Sequence, residues 1–115
     1  MLPHRVCAGT DRARVVLSRD IDVAVQAELR SVLSSVVATA TGAIELDLQR
    51  VTFLDCSGVS EFVRAHVHAG RRGCHLTVSG ARGIVRLVLE VTGALKVLAA
   101  DQPAATPADG QTTVG

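Results

Sequence analysis

The sequence predicts one α/β domain, a mixed β-sheet covered by helices. Three observations predict it. Short runs of β-branched and aliphatic residues alternate with stretches whose apolar residues recur every three or four positions. The implied order is β, β, α, β, α, β, α with a short last strand, and such alternation calls for a mainly parallel or mixed sheet with right-handed crossovers. The length, 115 residues, allows one core and no more. The domain is expected over residues 4–100 and a flexible C-terminal tail over 101–115.

Arg5 to Ala8 and Ala13 to Ser18 read as strands. Gly9-Thr10-Asp11-Arg12 between them has hairpin chemistry. Val15-Val16-Leu17 is continuous and fits a strand buried on both faces. Asp20-Ile21-Asp22 opens a long helix with Asp22 as its N-cap. Val25, Leu29, Val32, Leu33, Val36, Val37 and Ala40 form its apolar stripe, and Gly42 is its stop. Ala43 to Leu48 reads as the third strand, and Gln49-Arg50-Val51-Thr52 as the connection after it.

A helix over Val59 to Gly70 is expected to bury Val59, Phe62, Val63, Val67 and Gly70. Ser60, Glu61, Arg64 and His68 fall on or beside its outward face. Arg71 and Arg72 suit its negative end. Cys74 to Ser79 is the next strand. Arg82 to Thr92 is a helix with Ile84, Val85, Val88 and Val91 on one side and Gly93 as its stop. Leu95 to Leu98 reads as a last short strand. After Asp101 the chain turns to Pro, Ala, Thr and Gly, a composition that buries too little surface to order itself.

Composition narrows the function. Hydrophobic residues make up 48% but aromatics only 2%, so an aliphatic core is expected and the composition argues against an aromatic stacking platform for single-stranded nucleic acid. Formal net charge is +1, which gives no global pull toward DNA or an anionic membrane. The eleven arginines against one lysine are put down to a GC-rich genome. Cys7, Cys56 and Cys74 form no CxxC pair, so neither a zinc knuckle nor a redox motif is suggested. With no secretory signal and no span-length apolar run, free thiols in the cytoplasm are the expectation. His66 and His68 lie two apart on a helix and point to different sides, a poor metal pair. Arg71, Arg72, Arg82 and Arg86 read by default as solvated surface.

Phe53-Leu54-Asp55-Cys56-Ser57-Gly58-Val59 is the stretch that carries chemistry. It joins a strand to a helix, where the first N–H groups lack partners and favour negative charge. Ser57 suits helix capping and equally suits carrying a phosphate. Asp55 and Asp22 suit capping or a partner contact. Cys56 at a helix start is a candidate nucleophile, but without an arginine at thiol-phosphatase spacing it reads as a small packed residue.

In two motifs the chain resembles the STAS family, specifically the bacterial anti-sigma factor antagonists, over about residues 4–100. Ser18-Arg19-Asp20-Ile21-Asp22 is similar to the family's Gly-Glu-Leu-Asp step into the first helix. Leu46-Asp47-Leu48 leading to Phe53-Leu54-Asp55-Cys56-Ser57-Gly58 is similar to its Asp-Ser-Ser-Gly or Asp-Ser-Thr-Gly site. The resemblance implies a non-enzymatic switch. The unphosphorylated protein binds a serine-kinase anti-sigma factor and so releases the sigma factor. The kinase phosphorylates the hydroxyl matching Ser57 and the pair separates; a protein phosphatase acting on phospho-Ser57 resets it. ATP and magnesium belong to the kinase, so this chain needs no cofactor. The implied contact surface comprises Asp22, Asp55, Cys56, Gly58, Ser60, Glu61 and Arg64, with no nucleic acid or membrane partner. Three departures stand out: Arg19 replaces the family's Gly, Cys56 replaces its first Ser, and the Pro/Gly-rich tail replaces its last helix.

Phosphorylation adds about −1.5 to −2 charge. Against an acidic or apolar partner surface this weakens docking without refolding the domain. Two other readings compete. One is a STAS accessory module of a transporter or signalling assembly that is not phosphorylated. The other is a small hydrolase using Cys56 or Ser57, for which the motif supplies no histidine base.

Overall fold

The computed structural model describes residues 2–9 and 11–98. The described residues form a four-stranded sheet, four α-helices and one 3₁₀ turn. β1 (His4–Ala8) pairs antiparallel with β2 (Arg12–Ile21), and Gly9 N–H bonds to the Arg12 carbonyl in the turn. β3 (Ala43–Leu54) and β4 (His75–Ser79) add in parallel, giving the order β1-β2-β3-β4. The mixed sheet is as the sequence predicts. Thr10 of the hairpin, residues 99–100 and the tail expected over 101–115 lie outside the described residues.

The sheet buries one face. Ala13, Val15 and Leu17 of β2 sit beside Ile44, Leu46 and Leu48 of β3 and Leu76 and Val78 of β4, all within the core. The intervening residues Arg14, Glu45 and Thr77 look the other way and are at least partly exposed. Val16 is only half-buried there, which corrects the expectation of a β2 buried on both faces. Its neighbours on that side are polar, and the alternation of a one-faced strand is what results.

Asp22 caps the first helical turn, its carboxylate accepting Ala24 N–H at 3.0 Å. A 3₁₀ turn over Val23–Val25 leads into α1 (Gln26–Thr39). Leu29, Leu33, Val36 and Val37 bury as the helical spacing demands. α2 (Cys56–Arg71) begins three residues before the predicted Val59. It buries Gly58, Val59, Phe62, Ala65 and Ala69, whereas Val67 is 46% exposed and Gly70 is exposed. The stripe is therefore turned relative to the expectation. Two alanines let α2 lie close on the sheet, and the bulkier valine rides outside.

After β4, α3 (Gly83–Val91) buries Val85 and Leu89, while Ile84 and Val91 are exposed, against the predicted side. Gly93 then adopts φ +79°, a left-handed turn that glycine takes without steric cost. The chain restarts as α4 (Ala94–Leu98), not as the predicted strand Leu95–Leu98. Ala94 and Leu98 are buried while Lys96 between them is exposed; a strand would put all three on one face, and a helix does not.

Candidate functional site

β2 and β3 outrun β4. Pairing of β3 with β4 ends at Asp47 and Ser79, but β2 and β3 remain paired as far as Ile21 and Leu54. The Gln49-Arg50-Val51-Thr52 segment, expected as a connection, is thus strand. Its register carries two irregularities, between Val16 and Ser18 and between Arg19 and Asp20, so apolar alternation fades there and hides it. Arg19 sits at one of these shifts with φ +65°. Thr52 Oγ1 donates to the Asp20 carboxylate at 2.7 Å and ties the two strand ends together.

Two helices start side by side at this sheet end. Asp22 follows Ile21 and Asp55 follows Leu54, and Asp55 N–H bonds to the Ile21 carbonyl at 3.2 Å. Asp55 is the N-cap of α2: its Oδ1 accepts the N–H of Ser57 at 3.0 Å and of Gly58 at 3.3 Å. The hydroxyl of Ser57 donates to the same oxygen at 2.5 Å. That bond first, then the N–H groups of Gly58, Ser57 and Val23, hold the Asp55 carboxyl below its usual range against the opposing effect of burial. Because Asp55 does the capping, Ser57 is released from that duty and stands half-buried at the first turn.

Around Ser57 the surface is open. Cys56 is an exposed free thiol, which corrects its reading as a packed residue: it occupies the outer side of the first turn. Ser60 and Arg64 are exposed, as expected, one turn apart on α2. Val23 is 70% exposed and Phe53 41% exposed, apolar side chains at the ends that carry Asp22 and Asp55. The sequence reading missed both.

Gly58 is buried under the corner. A Cβ there would lie 2.5 Å from Leu54 Cδ1 and 2.7 Å from Ile21 Cγ2. The expected surface contact is corrected: Gly58 lets α2 settle on the ends of β2 and β3. Glu61 is likewise not on the outward face. It is 2% exposed and accepts hydrogen bonds from Arg30 Nη2 at 2.9 Å, Arg30 Nε at 3.1 Å and Gln26 Nε2 at 3.0 Å, with Arg64 Nε at 3.6 Å. The Arg30 guanidinium foremost, then Gln26 and Arg64, outweigh burial and keep its carboxyl below the usual range. Glu61 follows Gly58 by three and precedes Ala65 and Ala69 by four and eight. That spacing is the signal that places it on the buried stripe.

His66 Nδ1 bonds to the Leu76 carbonyl at 2.9 Å, fixing α2 to β4, while His68 is exposed. Among the described residues no group of three or more His, Cys, Asp or Glu is placed to hold a metal ion. No described helix is long and apolar enough to cross a membrane.

A family model described as "Mlab, STAS domain" matches residues 4–99. No curated protein sequence matches the chain. Among solved structures, an anti-sigma factor antagonist from Mycobacterium paratuberculosis is 25% identical, with a TM-score of 0.76 over 85% of this chain and 83% of that one. The Bacillus cell fate determinant SpoIIAA in its phosphorylated form is 16% identical, with a TM-score of 0.64 over 89% of this chain and 92% of that one. A sulfate transporter family protein from Wolinella succinogenes is 23% identical, with a TM-score of 0.56 over 72% of this chain and 70% of that one.

Proposed function

The chain belongs to the STAS-domain family, and from that premise we propose that it is an anti-sigma factor antagonist switched by phosphorylation of Ser57. In the unmodified state it binds a serine-kinase anti-sigma factor and frees the sigma factor. Phosphate on Ser57 Oγ ends the complex, and a separate phosphatase restores it. The active unit is the domain over residues 4–100, acting in the cytoplasm by binding and not by catalysis.

The observation that carries this reading is the Ser57 hydroxyl, half-buried beside an exposed Cys56 and bonded to a carboxylate that already performs the helix cap. A hydroxyl relieved of capping can be esterified without unmaking α2. The phosphate would then sit beside the anionic Asp55 and near Asp22, concentrating negative charge on a surface whose rim is Val23 and Phe53. An apolar or acidic partner surface is repelled by that charge. A loss of about 1.4 kcal/mol is tenfold in affinity, so local repulsion suffices.

The test combines the kinase-type anti-sigma factor from the same genome, ATP and three proteins. Wild type should take up phosphate on Ser57 and Ser57→Ala should take up none. In pull-downs Ser57→Ala should stay bound and Ser57→Asp should bind poorly. Phosphate elsewhere, or equal capture of Ser57→Asp, would defeat the proposal.

A second reading is favoured by the likeness to the Wolinella sulfate transporter family protein: an accessory STAS module of a transporter or signalling assembly, bound whatever the state of Ser57. Absence of phosphate uptake together with unchanged partner binding by Ser57→Asp would select it.

A further inference from the structure

α1 and α2 enclose a groove of about 810 Å³ on the surface away from the sheet. Val63 and Val67, one helical turn apart on α2, form its apolar floor, and Val67 is 46% exposed. Arg30 of α1 and Arg64, His68 and Arg71 of α2 line its rim. No carboxylate lines the groove itself. Glu61, buried below the surface, is shared by Arg30 and Arg64. Among the described residues, no ion pair engages Arg71 or His68.

The charges do not balance. Three guanidiniums line the groove and two of them share one buried carboxylate, so the lining carries an excess of two positive charges. Glu61 also does more than neutralise. It grips Arg30 through Nε and Nη2, leaving Nη1 uncommitted on a side chain whose position is already set. It touches Arg64 only through Nε, leaving that fork free. Arginines held in this way lose less entropy on engaging an anion than freely moving ones. Their planar forks match carboxylates. The floor is a stripe one turn apart, flanked by Arg64, His68 and Arg71, the spacing of one helix face.

We propose that the α1–α2 groove is a docking site for an acidic amphipathic helix of a partner protein. The partner helix lays its aliphatic face on Val63 and Val67 and directs glutamates or aspartates to Arg30, Arg64 and Arg71. This mode reads apolar anchors at helical spacing, and its charge complement favours rapid, salt-sensitive association. The inference deepens the partner-binding reading, adding the chemistry of a surface beyond the Ser57 corner, and it requires no phosphate chemistry.

The test uses the full chain and synthetic amphipathic helices of about four turns, the length of the groove along α2. One carries leucines flanked by glutamates; a second replaces every glutamate by lysine. Binding is followed by fluorescence anisotropy at about 50 mM and about 500 mM salt, which differ severalfold in screening length. The glutamate helix should bind, weaken with salt, and weaken by about tenfold or more in Arg64→Glu/Arg71→Glu protein. Arg71→Glu alone, which breaks no ion pair, should weaken it with the fold intact by circular dichroism. The lysine helix should not bind. A glutamate helix that fails to bind, or that binds Arg71→Glu as it binds wild type, overturns the proposal. So does its displacement by phosphatidylglycerol vesicles that bind more tightly, which would assign the groove to a lipid surface. No kinase or ATP is present, so this result stands or falls separately from phosphorylation at Ser57.

Discussion

Ser57 donates its hydroxyl hydrogen to Asp55 Oδ1 across 2.5 Å, on the oxygen that also caps α2. The two residues therefore divide the labour at this corner: Asp55 holds the helix and Ser57 is left available. Asp55→Ala should cost about 1–2 kcal/mol, the range for losing a side-chain N-cap. Ser57→Ala removes one hydrogen bond to that carboxylate but leaves its capping bonds to the N–H groups of residues 57 and 58, and should cost less, about 0.5–1 kcal/mol. Urea unfolding of both proteins measures the difference. Equal losses would mean that the serine is structural and would weaken its assignment as a switch.

Glu61 gives a pH dependence whose sign follows from its partners. Arg30 above all, with Gln26 and Arg64, depresses its carboxyl in the folded protein. A depressed carboxylate contributes stability above its unfolded value, about 4.3, and that contribution is lost as pH falls through the lower folded value. Glu61→Gln should be destabilised by about 1–3 kcal/mol at pH 7, the cost of disrupting a buried hydrogen-bonded network. As pH falls from the unfolded value toward the lower folded value, the gap between its stability curve and that of wild type should narrow and then close. A constant offset down to acid pH would show that the charge of Glu61 is not what clamps α1 to α2.

Much of this architecture was legible in the sequence, and the failures have physical causes. The glycine and aspartate punctuation marks the strand-to-helix corners because those residues satisfy backbone groups that others cannot. α1 is readable because its stripe contains Leu29, Leu33, Val36 and Val37, large residues with one consistent spacing. α2 misled because, beside Val59 and Phe62, its packed face contains Gly58, Ala65 and Ala69, whose burial reflects close approach and not hydrophobicity. Val67 looked like core and is not. Glu61 looked like surface because a carboxylate is rarely buried unless paired, and its partners Gln26 and Arg30 lie on another helix. The second half of β3 was hidden by its register shifts, and Val23 and Phe53 by their lack of periodic context. α4 was misread because so short a run fits either period; only the exposure of Lys96 between buried Ala94 and Leu98 decides it.

Gly58 should tolerate no side chain. Its added Cβ would meet Leu54 Cδ1 and Ile21 Cγ2 well inside contact distance, and both residues are fully buried. Overpacking of this kind costs about 1–3 kcal/mol. Against it stands a helix-propensity gain of at most about 1 kcal/mol for Ala over Gly. Gly58→Ala should therefore be destabilised by about 1–2 kcal/mol, read from its urea midpoint. A more stable Gly58→Ala would mean that the corner can open to admit a methyl group.

Arg19 lies at a position where the balance of two backbone effects can be measured. Its φ of +65° is a left-handed conformation costing an L-residue about 1–2 kcal/mol. Glycine removes that cost but adds unfolded-state entropy worth about 0.4–1 kcal/mol. Arg19→Gly should thus gain about 0.5 kcal/mol, while Arg19→Val, β-branched and poorly suited to positive φ, should lose about 1 kcal/mol or more. Thermal and urea unfolding of the three proteins give the ranking Gly, Arg, Val. If Arg19→Gly were the least stable, the arginine side chain would have to supply packing that outweighs its own backbone strain, and the turn before Asp22 would be held from the side chain inward.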